Sequence, residues 1–301
     1  MPRPSLTRVQ TRQPTVKWER YAPGLFVLLW STGFIVARYG TRDAGPFTFL
    51  AVRMIISAMV LWLIAGALRA PRIERRHISS SAVVGVFMHA TYLGGTFFAI
   101  SRGLPSGVSA LIAGLHPVVT SFVGHWLLKE RLRSVQWAGI SCGVIGVVAV
   151  LVERSSVKSA SITTVTVIAM VVAVVGMSTG TLVQRSRGRE MPLLRGTALQ
   201  YVAAGLVLVP VAIIDEGWKM HMTWRNAASL AWAVGVLSIA AVLLMMVLLA
   251  RHAAAKVSSL FFLTPALSTI EGAVLFSERL GALAVVGLVV ALAGVWMTQR
   301  S

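Results

Sequence analysis

Two charged side chains interrupt apolar stretches of the chain, and both could do chemistry there. Arg53 lies in the stretch 46–68 and Glu271 in the stretch 257–277, each about six or seven residues from the end expected to face outward. Charges inside an apolar segment are costly and usually face a cavity or one another. The two residues are therefore predicted to form an ion pair or to contact a substrate. The alternative is an isolated Arg53 that extends its side chain outward.

Two histidines form a second group of candidates. His89 and His116 fall near the middle of the apolar stretches 77–101 and 103–128. Imidazole titrates near physiological pH, so either ring could relay protons or hold a carboxylate. The alternative is a neutral ring that is hydrogen-bonded between helices. Tyr92 follows His89 by about one helical turn and is predicted to share its face.

Two prolines, Pro117 and Pro265, lie inside apolar stretches and are 148 residues apart. A proline in a helix interior removes a hydrogen bond and frees the carbonyl four residues earlier, here that of Ala113 and that of Phe261. The freed carbonyls could line a site and the kinks could act as hinges. A static kink in each helix is the alternative.

Aromatic and methionine side chains could add an adaptable apolar pocket, although most such residues in a helical bundle simply pack or face lipid. Together with the histidines and one serine they make up the candidate substrate-binding set: Trp30, His89, Tyr92, His116, Met177, Ser178, Tyr201, Met245 and Phe261.

Motifs for other chemistry are missing from the sequence or are in the wrong context. There is no P-loop, no metal-ligand cluster and no Gly-x-Gly-x-x-Gly, so neither a cofactor nor a metal is expected. Residues 176–180 match Gly-x-Ser-x-Gly, but that hydrolase motif needs a strand–turn–helix elbow and here lies in an apolar helix. The single cysteine, Cys142, excludes a disulfide scaffold.

The elements that must position these residues are long apolar segments. Of 301 residues, 56% are hydrophobic and 13% charged. A helix needs roughly 20 residues to cross a bilayer. A soluble helical bundle would show a polar stripe on each helix, which these segments lack. The sequence therefore predicts an all-α membrane protein with ten transmembrane helices, formed by the segments 21–37, 46–68, 77–101, 103–128, 134–152, 159–184, 196–214, 226–250, 257–277 and 280–299.

The net charge of +18 indicates an orientation in the membrane. With the N-terminus inside, the inner segments carry 19 of the 28 Lys and Arg residues and the outer segments 8. Short cytoplasmic loops are enriched in these residues, so both termini are predicted to be cytoplasmic, in the inner (plasma) membrane. Residues 1–20 form a basic cytoplasmic tail. Because the charge is spread over short loops without a recognition module, no nucleic-acid partner is expected.

The two halves of the chain resemble each other. Ser31-Thr32-Gly33 recurs as Ser178-Thr179-Gly180, and Gly139 and Gly146 recur as Gly287 and Gly294. Each half holds five segments, an odd number, so the second half must be inverted, as in many secondary transporters. The predicted organisation is a first five-helix repeat at 21–152, a linker at 153–160 and a second repeat at 161–299. The glycines are read as helix-packing positions.

One set of motifs resembles a known family. Pro46-Phe47 precedes Arg53, Lys129-Glu130-Arg131-Leu132 precedes Gln136-Trp137, and Ser277-Glu278-Arg279-Leu280 follows Pro265. Over residues 21–299 the chain resembles the EamA type of the drug/metabolite transporter superfamily. The resemblance implies a 5+5 helical carrier, often an exporter of amino acids or other small metabolites, with the YddG-like amino-acid exporters as a related group. The second copy departs from the first by carrying Gln200 at the position of Arg53.

These observations predict a secondary transporter that exports small metabolites, with amino acids favoured, by alternating access around a site between helices 1–4 and 6–9. Its partners would be the small-molecule substrate and the lipid bilayer. A membrane-embedded hydrolase and a channel are the alternatives, and the sequence leaves the oligomeric state open.

Overall fold

The computed structural model describes residues 21–128, 133–155, 162–187, 191–251, 263–277 and 281–298. The predicted basic tail 1–20, most of the linker and Phe261 lie outside these ranges. In chain order the described helices are α1 (Ala22–Gly40), α2 (Pro46–Ala67), α3 (Arg75–Val84), α4 (Tyr92–Ser101), α5 (Ser106–Ala113), α6 (His116–Leu128), α7 (Ser134–Ser155), α8 (Thr164–Arg187), α9 (Leu193–Glu216), α10 (Trp224–Trp232), α11 (Val242–Arg251), α12 (Leu263–Phe276) and α13 (Ala282–Thr298).

The helices have the length and surface of membrane spans. Within the described ranges, eight continuous helical runs are long and apolar enough to cross a bilayer, and α12 and α13 are shorter apolar helices. Large apolar side chains cover the outside, among them Leu63, Leu206 and Ile214, each more than 70% exposed. Such a surface is stable in lipid and not in water. The chain is therefore a multi-pass membrane protein.

Two of the described spans contain a π-helical segment. The first π segment, Gly85–Thr91, joins α3 to α4, and the second, Ala233–Ala241, joins α10 to α11. Their first residues are 148 positions apart, the spacing that separates the repeated motifs. A π turn holds one more residue than an α turn, changes the helix face that follows, and frequently marks a functional site.

The span that contains Pro117 differs from the prediction. Helix α5 ends at Ala113 and α6 begins at His116, so Pro117 lies in the first turn of a new helix rather than inside one. Proline is favoured in that turn because its missing N–H would have had no intrahelical partner. The expected kink is therefore a break at Gly114 and Leu115. In the corresponding later span, described from Leu263 onward, Pro265 lies in α12.

The most extensive helix packing joins corresponding spans of the two halves. Helix α7 packs on α13, and α2 packs on α9. A Cβ atom built on Gly294 would lie 2.6 Å from the carbonyl oxygen of Gly139, and one on Gly287 would lie 2.6 Å from that of Gly146. Backbones can approach so closely only where side chains are missing. The contacts advance along α7 as they recede along α13, so the two helices run antiparallel.

Helices α2 and α9 are also antiparallel, and Glu216 closes one end of the pair. Glu216 is the last residue of α9. Its carboxylate accepts hydrogen bonds from the backbone N–H of Phe47 (2.9 Å) and from the N–H and hydroxyl of Thr48 (2.7 and 2.6 Å). At the other end Arg195 Nε donates to the carbonyl of Ala70 (3.1 Å). A carboxylate at a helix N-terminus satisfies unpaired N–H groups and complements the helix dipole. Glu216 thus ties the start of α2 to the end of α9.

Candidate functional site

A cavity of about 90 Å³ lies between the two halves of the bundle. Both halves contribute to its wall: Trp30, Phe34, Arg53, His89 and others from the first, and Met177, Tyr201, Leu237 and Val242 from the second. At roughly 10–15 Å³ per water, the cavity has room for several water molecules. We refer to it as the central cavity.

Arg53 is the charged residue of this cavity. It sits on α2 with only 6% of its surface exposed, and its Nε donates to the hydroxyl of Ser238 in the second π segment (3.1 Å). The predicted ion pair with Glu271 is not formed, and Arg53 does not extend outward. Instead Glu271 accepts a hydrogen bond from the hydroxyl of Ser31 (2.5 Å). Ser31 and Glu271 join α1 to α12, away from the cavity lining.

His89 also lines the central cavity, in the first π segment. Its Nε2 is 3.3 Å from the side-chain oxygen of Gln200 on α9, and its ring meets that of Tyr201 edge-on, with 4.7 Å between ring centroids. The hydroxyl of Tyr201 donates to the carbonyl of Ser238 (3.2 Å). His89 is thus hydrogen-bonded between helices and also lines the cavity. Tyr92, one turn later, lines it as well, on the face predicted for it.

A second, smaller cavity adjoins the central one at the break between α5 and α6. It measures about 20 Å³ and is lined by His116, Gly114 and Pro265, among others, and it shares Trp30 and Tyr92 with the central cavity. The ring of His116 hydrogen-bonds to the backbone of Ala113, the residue whose carbonyl was expected to be freed. The break therefore brings His116 to the edge of the site.

The remaining predicted residues lie elsewhere. Ser178 is fully buried, and its hydroxyl donates to the carbonyl of His116 (3.1 Å) without reaching either cavity. Met245 packs beside Phe26 and Leu248 in a separate apolar cluster. Neither residue is among those that line the two cavities, and their role in substrate binding stays a prediction.

Several lining residues were not predicted: Gly33, Phe34, Met88, Leu93, Thr96, Phe97, Leu237 and Val242. Most are ordinary apolar residues that nothing in the sequence distinguishes from lipid-facing ones. Gln200 and Ser238, which hold His89 and Arg53, are different. Gln200 follows Arg53 by 147 residues and Ser238 follows His89 by 149, so the internal repeat could have pointed to both.

The sequence model of the EamA-like transporter family matches this chain twice, at residues 24–152 and 164–300. The chain belongs to the EamA-like transporter family. Each match covers one of the two halves that build the cavity wall.

Two relatives of this EamA-like chain are distant but matched over most of their length. It is 25% identical over 271 residues to "Protein PecM" of Dickeya dadantii, covering 89% of this chain and 86% of that protein. It is 24% identical over 285 residues to the "Probable amino-acid metabolite efflux pump" of Escherichia coli, covering 91% and 92%. A crystal structure with 20% identity has the same fold, with a TM-score of 0.60 over 92% of this chain and 94% of that one.

Proposed function

We propose that this EamA-like protein is a secondary transporter that exports small metabolites, amino acids foremost, across the inner membrane by alternating access. The observation that carries the proposal is the central cavity, because corresponding spans of both halves line it. A site between two halves can be opened to either side when one half moves relative to the other.

The helix directions support a ten-span arrangement of two inverted halves. Corresponding helices run antiparallel in both pairs, α2 with α9 and α7 with α13, as two halves of opposite orientation require. The distribution of Lys and Arg favours cytoplasmic termini. In that orientation Glu216 and the start of α2 lie at the outer end of the protein.

Amino acids are the favoured cargo for two reasons. The cavity combines one guanidinium group with an apolar and aromatic wall, which suits a small amphipathic molecule. One relative is named as a probable amino-acid metabolite efflux pump.

Uptake into liposomes that contain the purified protein tests the proposal, with a panel of labelled amino acids and with or without a pH gradient. We expect uptake of the labelled substrate to saturate with its concentration. An excess of unlabelled substrate inside the liposomes should accelerate that uptake by counterflow. Flux that rises linearly with concentration would indicate a channel. Chemical turnover of the substrate without any gradient would indicate a membrane-embedded hydrolase.

A cavity-filling variant links the activity to the site. Gly33 on α1 lines the central cavity, whereas Gly24 on the same helix faces outward, with no atom within 4 Å of an added Cβ. Gly33→Leu is expected to abolish uptake because its side chain occupies the cavity. Gly24→Leu, the matched control, should retain uptake. Equal activity of the two variants would place the substrate site elsewhere.

A further inference from the structure

The guanidinium of Arg53 has hydrogen-bonding capacity that the protein does not use. Of its five N–H donors, the one on Nε is bonded to Ser238. Across the described ranges, no other hydrogen bond and no ion pair to Arg53 is formed. The residue is nevertheless buried and lines the central cavity, so its terminal NH₂ groups face a space where a ligand could sit.

A buried cation without an anion is costly in a membrane, and structures retain one where a ligand or a partner neutralises it. The planar fork of a guanidinium matches the two oxygens of a carboxylate and binds them through two parallel N–H···O bonds. With Nε held by Ser238, the free edge of the fork is the pair of terminal nitrogens. Thr96, also in the lining, has a buried hydroxyl with no hydrogen-bond partner among the described residues.

We propose that Arg53 binds the carboxylate of the transported molecule, and that amphipathic carboxylates, rather than cations or neutral compounds, are the substrate class. The proposal rests on the proposed function and specifies its site. The carboxylate can come from an amino acid or from an organic acid without an amino group, and the two sources are distinguished below.

The rest of the lining favours a carboxylate with an apolar body. None of the described lining residues is Asp or Glu, so a substrate ammonium group would have no ionic partner there. The rest of the described lining consists mainly of aromatic, methionine and aliphatic side chains, which favour burial of an apolar group. The amino group of an amino acid is therefore dispensable for binding, whereas its carboxylate is not.

Thermal stabilisation of the purified protein by small ligands tests this directly. The compounds are L-phenylalanine, hydrocinnamate, 4-methylpentanoate, phenethylamine and L-phenylalaninamide. We expect the three carboxylates to raise the melting temperature, and the amine and the amide to leave it unchanged.

Arg53→Gln, which installs the residue found at position 200, should weaken carboxylate binding at least about tenfold. Arg53→Lys keeps the charge but not the fork and should give a smaller loss. Arg225→Gln, which changes an exposed arginine at the start of α10, is the control and should bind as the wild type does.

Several results would overturn the proposal: stabilisation by phenethylamine or the amide equal to that by the acids, no stabilisation by any carboxylate, or undiminished binding in Arg53→Gln. If Arg53→Gln does not fold, the wild-type ligand series and Arg53→Lys still decide whether Arg53 binds the carboxylate. Failure here is distinct from failure of the transport function. If phenethylamine is transported in counterflow, the protein is a transporter but the proposed substrate class is wrong. If carboxylates bind but are never transported, the binding site stands and the proposed transport function is wrong.

Discussion

Arg53 and Gln200 occupy corresponding positions in the two halves of the chain, and each contacts the π segment of the opposite half. Arg53 reaches Ser238 in the second π segment, and Gln200 pairs with His89 in the first. The four residues form two links of the same pattern between the halves, and Arg53 and His89 of these links line the central cavity. One link carries a fixed charge and the other does not, so the two halves share a geometry but differ in chemistry at the site.

Ser238 should act by orienting Arg53. Ser238→Ala removes the hydrogen bond to Nε and lets the guanidinium rotate, and a hydrogen bond to a charged group is worth about 1.5–3 kcal/mol. We expect KM for uptake to rise about tenfold, with a smaller effect on the maximal rate. Ser57→Ala is the matched control, because Ser57 on α2 is equally buried and its hydroxyl has no partner among the described residues. Equal KM values for the two variants would contradict this role.

Gly85 should be intolerant of any side chain. A Cβ at this position would collide with the backbone carbonyl of Gln200, so Gly85→Ala must separate the first π segment from α9. Such overpacking costs about 1–3 kcal/mol. Gly235 in the second π segment has no atom within 4 Å of an added Cβ, so Gly235→Ala should be neutral or stabilise by up to about 1 kcal/mol. Melting temperatures in detergent compare the two, and similar shifts would show that the close approach does not matter.

Glu216 should contribute to stability through the start of α2. Glu216→Gln replaces a charged acceptor of three hydrogen bonds by a neutral amide, one end of which would face N–H donors with its own NH₂ group. We expect a loss of about 1–3 kcal/mol in the free energy of unfolding. The neighbouring Asp215 is exposed, so Asp215→Asn should stay within about 0.5 kcal/mol of the wild type. Denaturant unfolding in detergent measures both, and equal stabilities would exclude the capping role.

Glu271 is the candidate for coupling to protons. Its Oε1 accepts from Ser31, and its Oε2 is buried with no partner among the described residues. Glu271→Gln keeps an oxygen for Ser31 but cannot gain or lose a proton. The variant is therefore expected to fold and to catalyse counterflow, while uptake loses its response to a pH gradient. The comparison uses the same liposomes with and without the gradient. Transport unchanged at every pH would remove Glu271 from the mechanism.

The sequence predicted the helices well because a long apolar stretch is by its composition alone the mark of a membrane-spanning helix. The stretch 46–68 corresponds to Pro46–Ala67, and 77–101 falls within the continuous run Arg75–Ser101. Polar residues inside such stretches stand out for the same reason, and Arg53, His89 and Tyr92 do line the cavity.

The sequence does not show which apolar residues face the cavity and which face lipid. A π segment changes the phase of the helix after it, so the face of α4 that bears Thr96 and Phe97 does not follow from regular helical spacing. The apolar stretch 196–214 ends before Glu216, whereas α9 continues through Glu216 and buries it against α2. The sequence predicts a helix interior for Pro117, whereas the helix breaks at Gly114 and Leu115 and Pro117 lies in the first turn of α6.

The glycine crossing of α7 and α13 has a consequence for how such a chain can be assembled. In the repeat, Gly139 corresponds to Gly287 and Gly146 to Gly294. The contact of Gly146 with Gly287 is therefore equivalent to that of Gly139 with Gly294. An interface in which each partner supplies the same patch is isologous, the type that joins identical subunits around a two-fold axis. A single five-helix half, inserted in both orientations, would already carry every surface that this contact needs.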